Sequence, residues 1–244
     1  MITNVYSESD VDVVICLEST FRYDLTNLGP VDAQAYRSYV TPATYTYEQF
    51  KAAVILQLQN KFGATSITVG DKAIKIKATP SRRSADVIVS WEYRDFNSFS
   101  LQNTTDYTPG IIFTTPSGEI INYPKHHSTN LTTTHKTTNS MLKPMVRILK
   151  NMRSRLVDLE QLKSGAAPSY YIEGLFYNVP ADRYAVGSYG DTFCNGINWL
   201  LKADKTKLFC ANWKYYLLGT SNVQWNEADF DAFLSAVCKL WKES

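Results

Sequence analysis

Residues 9–15, Ser9-Asp10-Val11-Asp12-Val13-Val14-Ile15, constrain this chain more than any other stretch. Residues 11–17 are almost continuously apolar and β-branched, which predicts a buried central strand. Side chains on a strand alternate between faces, so Asp10 and Asp12 share one face while Val11, Val13 and Ile15 share the other. Two carboxylates side by side on a core strand repel each other and lose hydration, an expensive arrangement unless a cation offsets it. The pair is therefore either a solvated strand end or a cation site.

Asp86 weighs toward the second. It opens another apolar run, Ala85-Asp86-Val87-Ile88-Val89, predicted as a second buried strand. A third carboxylate from a neighbouring strand would complete a three-acid site for two Mg²⁺ (or Mn²⁺) ions, which prefer hard oxygen ligands. Two such ions about 4 Å apart can activate an attacking hydroxyl and neutralise a leaving pyrophosphate. Arg82 and Arg83, just ahead, are either a solvated turn or a basic rim toward phosphates.

Periodicity supplies the frame. Phe50, Val54, Leu58 and Phe62 recur every four residues and Gly63 follows as a stop, predicting an amphipathic helix within 45–63. Residues 66–78 read as a strand or hairpin around Gly70-Asp71, and 110–124 as a hairpin around Pro116-Ser117-Gly118. The polar, Thr-rich segment 125–140 reads as a loop between two lobes. Beyond it, 141–163 carries one apolar stripe, Leu142, Met145, Leu149, Met152, Leu156 and Leu159, with Asn139 or Ser140 as cap and Pro144 in the first turn. Further helices are predicted at 169–178, 192–202, 207–218 and 227–242. The expectation is an α+β fold, with a mixed-sheet lobe at 1–139 and a helical lobe at 140–244 that completes the site.

On the long helix, Lys143, Arg147 and Lys150 fall on one face, away from the stripe. That face is either plainly solvated or a positive grip for a polyphosphate. Ser169 and Tyr170 open the next helix; a hydroxyl there can meet phosphate and an aromatic plane can stack on a base, although Tyr170 taken alone in so Tyr-rich a chain reads as core.

Together these motifs resemble the polymerase-beta-type nucleotidyltransferases, and most nearly the bacterial cGAS/DncV-like synthases of cyclic oligonucleotides. The resemblance runs along almost the whole chain: Thr3-Asn4-Val5 ahead of Ser9-Asp10-Val11-Asp12-Val13, then Asp86 behind Arg82-Arg83, Tyr123-Pro124-Lys125-His126, the Arg147…Lys150 helix, and Ser169-Tyr170 with Tyr177-Asn178-Val179-Pro180 after it. It implies a polymerase-beta-like lobe followed by a helical lobe. It also implies that Asp10 and Asp12 bind both metal ions and Asp86 the ion activating the attacking ribose hydroxyl. By the same resemblance Lys150, Ser169 and Arg147 hold phosphates and Tyr170 stacks on a base. The implied activity joins nucleoside triphosphates, ATP among them, into a cyclic or short linear second messenger of antiphage signalling. A separate effector would read the product, and regulatory proteins encoded alongside would control the synthase.

One departure stands out. The family carries a Gly-Ser pair a few residues before Thr-Asn-Ile, where backbone amides and a hydroxyl cradle the triphosphate. Here the sequence starts at Met1, two residues before Thr3, and the similar Gly187-Ser188-Tyr189-Gly190-Asp191 reads as a turn in the wrong lobe. Either the natural frame begins further upstream, or this is a short, catalytically silent nucleotide-binding or scaffold module. A third, weaker reading is transfer of a nucleotide onto protein or RNA.

Composition limits the remainder. Lys+Arg 25 against Asp+Glu 23 gives a net +2, so strong duplex-DNA binding is not expected. The polar first ten residues are not a signal peptide, and no apolar run approaches the roughly 18 residues of a membrane span. Cys16, Cys194, Cys210 and Cys238 lack the spacing of a disulfide framework, which suits reduced thiols in the cytoplasm. His126, His127 and His135 lack zinc-site spacing, and no phosphate-loop or dinucleotide fingerprint occurs.

Overall fold

The computed structural model describes residues 11–243, so Asp10 and the Thr3-Asn4-Val5 motif lie outside the described residues. The chain forms two compact units that meet in sequence between Pro124 and Lys125. No helix among the described residues is long and apolar enough to cross a membrane.

Among the described residues the first unit is built on a six-stranded mixed sheet. In chain order it contains β1 (Val11–Asp24), α1 (Pro30–Tyr39), α2 (Tyr47–Phe62), β2 (Ile67–Val69), β3 (Ile74–Ile76), β4 (Ala85–Phe96), β5 (Tyr107–Thr115) and β6 (Gly118–Asn122). β2 to β6 run antiparallel in sequence order, and β1 joins β4 in parallel. α2 is the predicted amphipathic helix. Thr46 and Gln49 close a capping box at its start, and Gly63, at φ 85°, ends it. Its Phe50, Val54, Leu58 and Phe62 pack on Ile74, Ile76, Val87 and Val89 of β3 and β4. Both predicted hairpins form, β2–β3 and β5–β6.

Two expectations for this unit are corrected. β1 is not a buried central strand: Val11, Val13 and Val14 are 41%, 38% and 42% exposed. Among the described residues it pairs only with β4, and of its side chains only Ile15 joins the α2 cluster. The polar stretch after β1 holds a helix, α1, fixed by Tyr36, whose buried ring packs against Phe96 and Phe99.

The helical unit comprises α3 (Pro124–Thr137), α4 (Leu142–Asp158), α5 (Ser169–Asn178), α6 (Tyr189–Leu200) and α7 (Glu227–Lys242). Its core gathers Leu142, Met145, Leu149 and Leu156 of α4 with Leu175 and Phe176 of α5 and Phe230, Phe233 and Val237 of α7. α5 and α7 take their predicted bounds. Asn226 caps α7 by accepting from the amides of Ala228 and Asp229.

Segment 125–140 is a helix rather than a loop. Its Thr-rich sequence has weak helix propensity, but Leu131 enters the core and the Asn130 amide donates to the Ala211 carbonyl at 2.8 Å. It therefore lies with the helical unit, and the unit boundary falls ahead of it. α4 is shorter than its stripe suggested, because Glu160 takes φ 55° and Leu159 is left half-exposed. Neither Asn139 nor Ser140 caps it. Both have positive φ, and Thr138 Oγ1 accepts from the Leu142 amide instead. Residues 207–218 are not a helix. They fold back through a bridge between Phe209 and Tyr216 that buries Leu208, Cys210, Ala211 and Leu217. Gly187 does form a turn, after which Ser188 caps α6.

Candidate active site

In the sheet unit, the register of β1 against β4 sets Asp12 opposite Asp86. Paired residues of adjacent strands share a face, so the two carboxylates meet on the side of the sheet away from α2. β3 continues the row with Lys75 opposite Asp86. Asp86 is half-buried, whereas Asp12 and Lys75 are exposed. A cation between two carboxylates answers the repulsion that the sequence exposes, and their hard oxygens suit a divalent ion. Among the described residues no three histidine, cysteine or acidic side chains gather at one point. The third acid read from sequence, Asp10, is outside them.

Arg82 does not form a rim toward phosphate. Its guanidinium lies over the Phe62 ring at 4.7 Å and donates to the Lys77 carbonyl at 2.8 Å, which fastens the turn before β4 to the end of α2. Arg83 is exposed.

In the helical unit, the three cations of α4 differ in surroundings. Lys150 is buried, Lys143 half-buried and Arg147 exposed. Lys143 and Arg147 lie near His135 of α3: the Lys143 amide donates to His135 Nδ1 at 3.4 Å. Burial, then the charges of Lys143 and Arg147, hold the His135 imidazole below its ordinary pKa.

Lys150 Nζ donates to Glu173 Oε1 of α5 at 2.7 Å, and the other oxygen of that carboxylate is 2.7 Å from His127 Nε2 of α3. Burial alone would push the Glu173 carboxyl up. The hydrogen bond from His127, with the charge and hydrogen bond of Lys150, outweighs it and holds Glu173 ionised below its usual value. The His127 ring stacks on Tyr170, with centroids 4.6 Å apart and planes 17° apart, and the Tyr170 hydroxyl accepts from Asn212 Nδ2 at 2.8 Å. Burial drives that phenol well above its ordinary pKa, so it stays neutral. At the start of α5, Ser169 Oγ accepts from Arg153 Nη1 at 3.0 Å.

Sequence reasoning thus named Lys150, Ser169 and Tyr170 but missed the groups that hold them, Glu173, His127, Arg153 and Asn212. The spacings carried one usable sign: Arg153 follows Lys150 by three residues and Glu173 follows Tyr170 by three, each one turn along its helix. His127 had no sign, because α3 did not read as a helix.

The chain is similar to known proteins along nearly its whole length. Residues 129–242 match the family model of the cGAS/DncV-like nucleotidyltransferase C-terminal helical domain. The chain is 37% identical over 246 residues to the cyclic nucleotide synthase CdnE01 of Staphylococcus haemolyticus, covering 99% of this chain and 81% of that protein. It is 36% identical over 241 residues to the cyclic UMP-AMP synthase of Rhodothermus marinus, covering 98% and 80%. The structure of the Rhodothermus marinus synthase with Apcpp and Upnpp superposes with a TM-score of 0.87 over 99% of this chain and 80% of that one. That of the Elizabethkingia meningoseptica CdnE cyclic dinucleotide synthase with GTP and Apcpp, 28% identical, gives 0.74. With a paired-carboxylate sheet, a helical unit of the matching type and likeness along nearly its full length, the chain belongs to the cGAS/DncV-like nucleotidyltransferases.

Proposed function

We propose that this nucleotidyltransferase joins nucleoside triphosphates into a cyclic oligonucleotide, a second messenger of antiphage defence made in the cytoplasm and read by a separate effector. The observation that carries the reading is the alignment of Asp12 with Asp86 on adjacent strands, in a chain similar over 99% of its length to a cyclic nucleotide synthase. The same likeness disfavours a silent scaffold module.

In the transfer, a ribose hydroxyl gives up its proton to solvent as its oxygen attacks the α-phosphorus of a triphosphate, the bond from that phosphorus to the pyrophosphate breaks, and pyrophosphate leaves with the electron pair. Asp10, Asp12 and Asp86 would hold Mg²⁺ or Mn²⁺, two ions by the family resemblance. When bound, such ions supply the positive charge that the attacking oxygen and the leaving pyrophosphate require. Lys150 and the Ser169 hydroxyl hold phosphate oxygens, with Arg147 adding charge from the exposed side of α4. Tyr170, whose ring stacks on His127, is the aromatic group assigned to the base. Its neutrality keeps negative charge away from the phosphates.

Pyrophosphate release tests this reading. The protein should liberate pyrophosphate from nucleoside triphosphates in the presence of Mg²⁺ or Mn²⁺, and an Asp86→Ala variant should not. Release that persists in that variant would remove Asp86 from the chemistry.

A further inference from the structure

The helical unit holds a connected row of side chains, Lys150–Glu173–His127–Tyr170, drawn from α4, α5 and α3. Its members are largely enclosed: the Lys150, Glu173 and His127 side chains are 11%, 15% and 10% exposed. Glu173 Oε1 accepts from the ammonium, and Oε2 lies against the imidazole. A buried carboxylate costs free energy to desolvate, so a fold that keeps one ionised between two partners fixes the geometry of both. Among the described residues His127 Nδ1 has no hydrogen-bond partner, and the ring is held by Glu173 at Nε2 and by the Tyr170 ring on its face.

We propose that Glu173 and His127 are positioning residues that lock Lys150 and Tyr170 into one nucleotide-binding unit. Glu173 fixes the ammonium that takes the phosphates and His127 fixes the ring that takes the base. The inference rests on the reading above that Lys150 and Tyr170 contact the nucleotide. Ground-state binding of the triphosphate then depends on Glu173 although Glu173 touches no part of it. A lysine released from the carboxylate gains freedom and hydration, both lost again when a ligand binds. A Tyr170 ring without its His127 backing must be ordered by the base itself.

The test measures binding of a non-hydrolysable nucleoside triphosphate analogue, alongside kcat and KM, for E173Q, H127F, K150A and the double variant K150A/E173Q. Circular dichroism and melting confirm folding. E173Q preserves volume but removes the charge that holds Lys150, and should raise Kd and KM about tenfold, the scale of one charge-assisted hydrogen bond, while kcat at saturation changes less than about threefold. H127F keeps a ring on Tyr170 but loses the bond to Glu173, and should show a smaller rise in the same direction. In the K150A background E173Q should add almost nothing, because the two changes break one unit.

Native affinity in E173Q and H127F, with weakened binding in K150A, would overturn the positioning role and leave the nucleotide assignment standing. Native affinity in K150A as well would overturn that assignment and the positioning role with it. If E173Q does not fold, H127F and K150A decide on the same terms: native affinity in H127F with weakened K150A rejects the proposal.

Discussion

Asp12 and Asp86 face each other as paired residues of the parallel β1/β4 ladder, and Lys75 takes the matching place on β3. Like charges opposite one another in a sheet destabilise it, whereas a divalent ion between them reverses that effect. Activity and metal-free stability should therefore move in opposite directions on neutralisation. D86N should lower product formation at least about 100-fold, as losing a group that supports transition-state charge does. Without metal, D12N, which removes the same repulsion but leaves Lys75 opposite Asp86, should be as stable as the parent or more so, by about 0.2–1 kcal/mol. Mg²⁺ should raise the melting temperature of the parent more than that of D86N, which keeps Asp10 and Asp12. A product assay checks the first expectation, and melting curves with and without metal check the other two.

Glu173 sets an acid limit on stability. Its native pKa lies below the unfolded value, so its contribution is fully present above the ordinary glutamate pKa of about 4.3 and is lost as pH falls through the lowered native value. The parent should lose stability progressively below about pH 5, and E173Q should show a shallower decline over that range. Chemical denaturation at a series of pH values measures the difference.

His135 acts in the same direction at higher pH. Burial and the charges of Lys143 and Arg147 lower its native pKa, so the unfolded chain takes up a proton that the native protein resists. Stability is retained above about pH 6.5 and declines as pH falls through the native value. H135N removes the titration while its side-chain oxygen can still accept from the Lys143 amide, and should flatten the slope below about pH 6.5. An unchanged slope in H135N would assign that dependence to another group.

Packing of α6 on α5 depends on a missing side chain. A Cβ at Gly196 would meet the ring of Phe176, which is fully buried and stacked on Phe193. G196A should cost about 1–3 kcal/mol, the range for overpacking a filled core, and lower the melting temperature accordingly.

Where local pattern and tertiary packing agree, the sequence was enough to place the structure. Phe50, Val54, Leu58 and Phe62 mark α2 by spacing and Gly63 marks its end, and α7 shows the same agreement between Asn226 and the buried Phe230, Phe233 and Val237. α3 was hidden because His127 and Leu131 are the only buried anchors in a Thr-rich segment. Residues 207–218 misled in the other direction, since Leu208, Ala211 and Leu217 are buried by a folded-back loop that imitates a helical stripe. Asp12 and Asp86 were legible as carboxylates on apolar strands, and the β1/β4 register pairs the two positions. Glu173, Arg153 and His127 were not, because a side chain that holds another is identified only by the three-dimensional neighbour it touches.

Retention of the α-phosphate tests the central claim most directly. Nucleoside triphosphates labelled at that position, singly and in pairs, would be incubated with the protein and Mg²⁺ or Mn²⁺, with Asp12→Ala in parallel. Nucleotidyl transfer predicts that label enters a phosphatase-resistant product, with one pyrophosphate released for each bond formed, and that Asp12→Ala yields none. Label released as nucleoside monophosphate, or a product that persists in Asp12→Ala, would contradict the account.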